Sequence, residues 1–374
     1  MSRTDFLVIG AGIAGASAAY FLAERGHVLL LERESHPGYH STGRSAALYS
    51  QTYGNRAIRI LTVGSEGFYR SPPAGFADHP LLTPRGAMYI GRADQAETVE
   101  RIITAAQALV PTVRMIPVAE ARRLVPALKA DYVAAAGIEP DAMDIDVHAL
   151  HQGFLRGLRA RGGRVVTDAE VRGIGRANGD WTVETNEGAF RAPVLLNAAG
   201  AWCDAIAAMA GVPPIGLTPK RRTAFIFPPP PETDIAGWPM VIDADEQFYI
   251  KPDAGKLLGS PADETPVEPQ DVQPDELDIA VAADRIQTAF DFEIRRIERR
   301  WAGLRSFVAD RRPVVGFDAA APGFFWVAGQ GGYGIQTAPA MGLLCAALAT
   351  GGAVPAELAD LGLAAADLSP DRLR

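Results

Sequence analysis

The sequence predicts a two-domain α/β protein, one domain built on a parallel sheet and the other on an antiparallel one. Three observations carry that reading. A short apolar run, Phe6-Leu7-Val8-Ile9, passes straight into Gly10-Ala11-Gly12-Ile13-Ala14-Gly15 and then into a helical stretch. Near the far end of the chain, Phe324-Phe325-Trp326-Val327-Ala328 passes in the same way into Gly329-Gln330-Gly331-Gly332-Tyr333-Gly334 and a second apolar helix. Between these, the block from Lys220 to Gly259 alternates β-branched and aromatic residues with Pro-rich loops, the pattern of antiparallel strands. With 374 residues, 48% of them hydrophobic, the chain is long enough to bury two cores.

The first strand–turn–helix has a chemical meaning. Four apolar residues suit a buried parallel strand and are too few for a helix. Gly10 permits the tight turn, Gly12 lets the backbone approach a pyrophosphate, and Gly15 lets helix and strand pack closely. The helix, read over Ala16 to Ala23, offers unpaired N–H groups and the positive end of its dipole to phosphates. Val28 to Leu31 forms the second strand, and Glu32 at its end stands at the spacing of a carboxylate that binds a ribose hydroxyl pair. An adenine dinucleotide is therefore expected, and Glu32 should repel a 2′-phosphate, which argues against NADP.

Charge and composition exclude other classes. A net charge of −8 argues against a polyanionic partner such as nucleic acid. Arg295-Arg296 and Arg299-Arg300, with Glu293 and Glu298 among them, read as one solvated helix face. No apolar run approaches the length of a membrane span, and the N-terminus has the pattern of a strand rather than of a signal or transit peptide. The two cysteines, Cys203 and Cys345, lie in apolar helical contexts and read as buried free thiols in a reducing cytoplasm. The six histidines lack ligand spacing, so no metal is expected, and His148 with His151 reads as a surface pair. No Ser–His–Asp arrangement is present.

In order along the chain, Arg33 to Ala47 is rich in small residues and hydroxyls, suits a loop lying along a cofactor, and is expected to end in a helix start. Ala57 to Phe68 reads as a helix, Pro72 to Pro84 as a crossing between domains, Gly86 to Gly91 as a strand and Ala93 to Leu109 as an amphipathic helix. Asp146 caps a helix from Val147 to Arg161, followed by a strand, Arg164 to Thr167. Trp181 to Thr185 and Ala189 to Arg191 form a hairpin; Val194 to Asn197 is a buried strand leading to a helix containing Ala205 to Ala210. Lys220 to Phe227, Met240 to Ile242, Gln247 to Lys251 and Lys256 to Gly259 are strands, Leu277 to Phe292 is a helix, and Val314 to Gly316 and Phe324 to Ala328 precede the last helix, Gln336 to Ala349. A discontinuous dinucleotide domain follows (1–82, 143–218 and 306–374), with a β-rich substrate domain formed by 83–142 and 219–305.

The second glycine loop separates the dinucleotide candidates. NAD used as a diffusing substrate has no evident use for it, whereas a flavin does: a second helix N-terminus can stabilise the anion that reduction places on the pyrimidine edge of the ring. On this loop, the first glycine motif, Ser41-Thr42-Gly43-Arg44-Ser45, Asn197-Ala198-Ala199-Gly200-Ala201-Trp202 and Gly303-Leu304-Arg305, the sequence resembles the D-amino acid oxidase superfamily of FAD enzymes over essentially its whole length. It looks most similar to the bacterial FAD-dependent D-arginine dehydrogenases, which share Pro37 to Ala47 and Pro219-Lys220-Arg221-Arg222 almost word for word. The resemblance implies a Rossmann-like FAD-binding domain beside an antiparallel substrate domain, non-covalent FAD, and oxidation of a D-amino acid by hydride transfer from Cα to flavin N5. The imino acid is then hydrolysed to a 2-oxo acid and ammonia.

Carried over residue by residue, the resemblance implies that Arg222 and Arg305 hold the substrate carboxylate, helped by Tyr249. A planar guanidinium fork suits that task. Tyr53 would lie on a lid, and the carbonyls of Gly303 and Gly332 would orient the amine. The cofactor would be held by Gly10, Gly12, Ala14, Gly15, Glu32, Arg33, Ser41, Thr42, Arg44, Ser45, Ala46, Ala47, Val171, Gly200, Gly331, Gly334, Ile335, Gln336 and Thr337. Two positions depart from the D-arginine enzymes: Ala87 stands where a glutamate binds the guanidinium, and Leu48 replaces a histidine near the flavin. Asp243, Asp245 and Glu246 could supply a counter-charge, but read as a solvated loop. An apolar or aromatic D-amino acid is therefore expected over D-arginine. The rivals are a sarcosine- or glycine-type amine oxidase on the same fold, a flavin-binding protein without turnover, and an NAD-dependent dehydrogenase. The electron acceptor is left open, a membrane quinone pool reached from the cytoplasm being one candidate.

No cysteine lies near Arg305 to form a thioether. The purified protein is thus expected to be yellow and to release its flavin on acid or heat treatment; colour that stays with the denatured chain would refute the non-covalent assignment.

Overall fold

The computed structural model describes residues 2–108 and 110–374; Met1 and Leu109, the last residue of the helix predicted from Ala93, lie outside the described residues. A six-stranded sheet runs in the order Arg164–Val166, Val28–Leu31, Phe6–Ile9, Val194–Asn197, Phe324–Ala328, Val314–Phe317. The first five are parallel and the last is antiparallel to its neighbour. Alternation along Phe6–Ile9 decides what each face meets. Phe6 and Val8 pack with the helices Ile13–Leu22, Val147–Ala160 and Ala338–Ala349, while Leu7 and Ile9 pack on the other side with Trp181, Phe190 and Ile206. Being covered on both faces is why Phe6–Ile9 and its neighbour Val28–Leu31 are apolar at every position.

The second large sheet runs Thr265–Pro266, Thr218–Phe227, Lys256–Ser260, Tyr249–Asp253, Met240–Asp243, Ala87–Gly91, Ala135–Glu139, Arg114–Ile116, with Arg299–Phe307 also paired to Thr218–Phe227. It is antiparallel except where Met240–Asp243 runs parallel to Ala87–Gly91. The helix Glu276–Ala289 covers it through Ile279, Ala282 and Ile286, packed with Phe225, Phe227 and Phe290.

Several elements differ from the sequence reading. The first helix begins at Ile13, because the glycine motif itself supplies its first turn. The stretch expected to start a helix after Arg33 instead ends in the two-residue strand Leu48–Tyr49, paired with Met143–Ile145. The hairpin at Asn186 belongs to a four-stranded sheet with Ser2–Arg3 and Val171–Ala177. The arginine-rich stretch is not a helix face: the helix stops at Ala289, and Arg299 and Arg300 open the strand Arg299–Phe307. Charged side chains at an exposed strand start mimic a solvated helix. Asp243, read as part of a solvated loop, is fully buried and accepts hydrogen bonds from the Asp245 and Gln247 N–H groups and from Gln95.

The helix Val147–Ala160 starts as expected: Asp146 accepts from the Ala149 N–H at 2.8 Å. The surface-pair reading of its histidines is corrected at His151, which is 4% exposed, with Nε2 2.8 Å from the Ala11 carbonyl. In its neutral form that nitrogen donates to the glycine loop and holds it from behind. Burial lowers the His151 pKa, offset only in part by the contact with Ala11. The folded state then refuses a proton that the unfolded chain accepts below about pH 6.5, so stability falls on acidification by up to about 1.4 kcal/mol per pH unit. His151→Gln removes that linkage. In thermal melts from pH 7.5 to 5.5 the advantage of the wild type over the variant is expected to shrink; a constant gap would show that His151 does not titrate there.

Candidate active site

The C-terminal ends of the parallel strands open onto a cavity of about 390 Å³. Its floor is the first glycine loop. Gly10 has φ +99°, and a Cβ there would lie 2.5 Å from the Ala198 carbonyl oxygen; one on Gly15 would lie 1.8 Å from that of Gly10. Only glycines let the loop nest against the end of Val194–Asn197. Glu32 lines the cavity while its two oxygens accept from the Ala11 N–H at 2.9 Å and the Glu34 N–H at 3.0 Å. The carboxylate thereby fixes the loop that it flanks. Thr42 Oγ1 accepts from the Ile13 N–H at 2.9 Å, so this hydroxyl caps the helix. The N–H groups of Gly12 and Ala14 have no protein acceptor among the described residues and remain available to an anion.

The opposite wall is the second glycine loop. Three buried side-chain polar atoms lack a partner among the described residues: His40 Nδ1, Gln330 Nε2 and Arg59 Nε. His40 and Gln330 both line this cavity. Buried polar atoms left without a partner at a cavity wall are costly unless a ligand meets them.

A second cavity of about 70 Å³ adjoins the first and shares Arg222, Tyr249, Arg305, Gly332, Ser45, Ala46 and Ile335 with it. Arg305 sits on Arg299–Phe307 and Arg222 on Thr218–Phe227, whose register sets Gly303 opposite Arg222 and Arg305 opposite Lys220. The two guanidiniums are not equivalent. Arg222 is buried, donates from Nε to the Asp263 carbonyl at 2.8 Å, and has Nη2 3.6 Å from Glu264. Hydrogen bonding from Arg311, joined by Lys220, holds the Glu264 carboxyl at about 2 against the opposing effect of burial. Arg222 is therefore partly neutralised. Arg305 forms no ion pair among the described residues; its guanidinium donates to Tyr53 Oη at 3.2 Å. Gly332 lies flush against it, since a Cβ there would be 2.7 Å from Arg305 Nη1. A cation walled in this way, without a carboxylate among the described residues, has a charge that an anion from solution can answer.

Of the residues expected to hold the cofactor, Gly10, Gly12, Ala14, Glu32, Arg33, Ser41, Thr42, Arg44, Ser45, Ala46, Val171, Gly200, Gly331, Gly334 and Ile335 line the first cavity. Ala47 and Gln336 line the second. Gly15 and Thr337 line neither: Gly15 is used in packing, and the Thr337 hydroxyl donates to the Tyr333 carbonyl at 2.9 Å. Tyr53, Leu48 and Ala87 line the second cavity, Gly303 only the first. Arg221 is a salt-bridge residue, 2.7 Å from Asp278. Sequence reasoning missed Ser50, Tyr89, Met240, Ile242 and Ala262, all on the second cavity, and weighed Glu246, also on it, only as part of a solvated loop. The signal for Met240, Ile242 and Tyr89 is the register Met240↔Ala87 and Ile242↔Tyr89, which needs the sheet before it can be seen. Glu246 is exposed to solvent, has φ +54°, and still reaches this wall.

The family profile described as FAD dependent oxidoreductase (DAO) matches residues 5–348. The chain belongs to this family of FAD-dependent oxidoreductases. Human mitochondrial sarcosine dehydrogenase is 25% identical over an alignment of 346 positions that covers 87% of this chain and 37% of that protein; the chain thus spans little more than a third of that relative. The fold is shared with L-proline dehydrogenase from P. horikoshii (TM-score 0.78, 24% identity, 95% of this chain and 96% of the other). It is shared equally with glycine oxidase from Geobacillus kaustophilus (TM-score 0.81, 21% identity, 97% and 99%). The first cavity fits FAD in its chemistry: free N–H groups at a helix start, an acid beside them, and unpartnered buried polar atoms of His40 and Gln330 among its lining residues.

We propose that Arg305 is the anion anchor. Arg305→Ala is expected to keep FAD bound while weakening small carboxylate ligands by two to three orders of magnitude, about 3–4 kcal/mol. Titration of the flavin absorbance with such a ligand measures it, and unchanged affinity would remove Arg305 from the site.

Proposed function

We propose that this FAD-dependent oxidoreductase deaminates D-amino acids oxidatively, with apolar side chains preferred over D-arginine. The observation that carries this reading is the uncompensated Arg305 guanidinium where the two cavities join, since a substrate carboxylate is the partner it lacks. Bound FAD supplies a two-electron acceptor at its N5. The rest is positioning by this chain. Arg305, assisted by Arg222 and Tyr249, fixes the carboxylate and so restricts the rotation of Cα. The carbonyls of Gly303 and Gly332 are candidate acceptors for the amine. The neutral amine gives up a proton to solvent, Cα–H leaves with its electron pair, and the resulting C=N bond takes up water to yield a 2-oxo acid and ammonia. The D configuration is the one implied by the resemblance to D-arginine dehydrogenases.

The side-chain preference follows from the second cavity. Leu48, Ala87, Met240, Ile242 and Ala262 give it apolar walls, and among the described residues Glu246 is the acidic one that lines it. An acid exposed to water compensates a buried cation less well than one sealed beside it. The same Glu246 supports D-arginine oxidation as a variant of this reading. The cavity of about 70 Å³ supports a second reading, oxidation of glycine or sarcosine. A quinone pool in the cytoplasmic membrane is the electron acceptor we propose.

Measurement of kcat/KM for D-leucine, D-arginine, glycine and sarcosine, with a dye acceptor and with oxygen alone, separates these readings. D-Leucine is expected to lead. Ala87→Glu should shift selectivity towards D-arginine by ~10-fold or more, since one satisfied charged hydrogen bond contributes about 1.5–3 kcal/mol. A wild type that favours D-arginine, with no shift in the variant, would assign the cation to Glu246 and contradict the apolar preference.

A further inference from the structure

Behind the wall of the second cavity lies a carboxylate to which the chemistry above gives no task. Glu139 ends the strand Ala135–Glu139 directly opposite Ala87, so the two side chains share one face of the sheet. Ala87 lines the cavity, whereas Glu139 is 2% exposed and lies one layer back. Its carboxylate accepts three hydrogen bonds, all from one short segment. Ser50 Oγ and Thr52 Oγ1 donate to Oε2 at 2.7 and 2.5 Å, and the Gln51 N–H donates to Oε1 at 3.0 Å. Among the described residues it forms no ion pair. Burial raises its pKa, with the hydrogen bonds from Thr52, Ser50 and Gln51 pulling the other way.

A buried carboxylate without a cation is an expensive way to fill space. What this one achieves is to gather three consecutive residues onto a rigid strand. The next residue in the chain is Tyr53, whose Oη accepts from Arg305 Nη1 at 3.2 Å. Gly54 closes the segment with φ +92°, and a Cβ there would lie 2.7 Å from Ile58 Cγ2. Ser50 and Tyr53 both face the second cavity. The segment is therefore a strap, tied at one end to Glu139 and at the other to the guanidinium.

We infer that Glu139 is a positioning residue, which sets the strap Ser50–Tyr53 so that Tyr53 holds Arg305 in place for an incoming carboxylate. The inference rests on the reading of Arg305 as the anion site. It also accounts for how a polar strap borders the cavity: Ser50, Gln51 and Thr52 are satisfied from behind by Glu139, which leaves the Tyr53 phenol for the guanidinium.

The test titrates benzoate, an inert carboxylate, into the FAD-loaded protein and follows the flavin absorbance. Glu139→Ala and Thr52→Val are each made in the wild type and in a Tyr53→Phe background. If Glu139 acts through the strap, Glu139→Ala weakens benzoate about 10-fold and Thr52→Val about 3-fold in the wild type. Both losses fall below about 2-fold once the Tyr53 hydroxyl is gone. Equal losses in the two backgrounds, or no loss in either, overturn the inference. Thr52→Val, nearly isosteric and outside both cavities, decides the matter if Glu139→Ala does not fold. Arg305→Ala is run alongside. Unchanged benzoate affinity in that variant contradicts the reading of the anion site, whereas a normal loss there with additive Glu139 losses contradicts the positioning role alone.

Discussion

A guanidinium held at the junction of two cavities, without a carboxylate partner among the described residues, is the constraint around which the rest of the structure is arranged. Arg305 is fixed by hydrogen-bonding and packing features that, among the described residues, leave its charge unanswered: a strand paired residue for residue with Thr218–Phe227, a glycine flush against its terminal nitrogen, and a neutral hydrogen-bond partner in Tyr53. Its neighbour Arg222 shows the alternative, with Glu264 and the Asp263 carbonyl already engaging it. An uncompensated cation costs folding free energy, and a protein that keeps one draws that energy back when an anion binds.

The two sheets divide the labour. The parallel sheet, covered on both faces, brings two glycine loops to one edge and so shapes the wall for the cofactor. The antiparallel sheet carries the arginines, Tyr249 and the lining residues Ala87, Met240 and Ile242. Cross-contacts lock the two together: Ser41 Oγ donates to the Leu304 carbonyl at 2.6 Å, Arg44 to the Ala302 carbonyl at 3.0 Å, and Trp301 Nε1 to the Arg44 carbonyl at 2.9 Å. The loop that lines the first cavity is thus pinned to the strand that bears Arg305, and the cofactor wall and the anion site share one geometry.

How much of this was legible in the sequence depends on whether the signal is local. The first glycine loop, Glu32 and the second glycine loop announce themselves because strand, turn and helix chemistry fall within about 30 residues. The strand Arg299–Phe307 does not, although it bears Arg305: four arginines at its approach imitate a solvated helix, and Gly303 breaks the strand pattern. His151 was hidden for a similar reason, since i, i+3 spacing with His148 gives no hint that one side chain turns inward to the Ala11 carbonyl. Glu139 and the cavity residues Met240, Ile242 and Tyr89 depend on register between strands about 50 to 150 positions apart, which no window of the chain contains.

The central claim is that a ligand carboxylate completes Arg305 beside the bound flavin. A crystal structure of the yellow protein grown with benzoate tests it most directly. The account predicts the carboxylate on the Arg305 guanidinium within hydrogen-bonding distance, in contact with the cavity that holds FAD. A carboxylate bound elsewhere, or Arg305 turned away to pair with an acid of the protein itself, would contradict it.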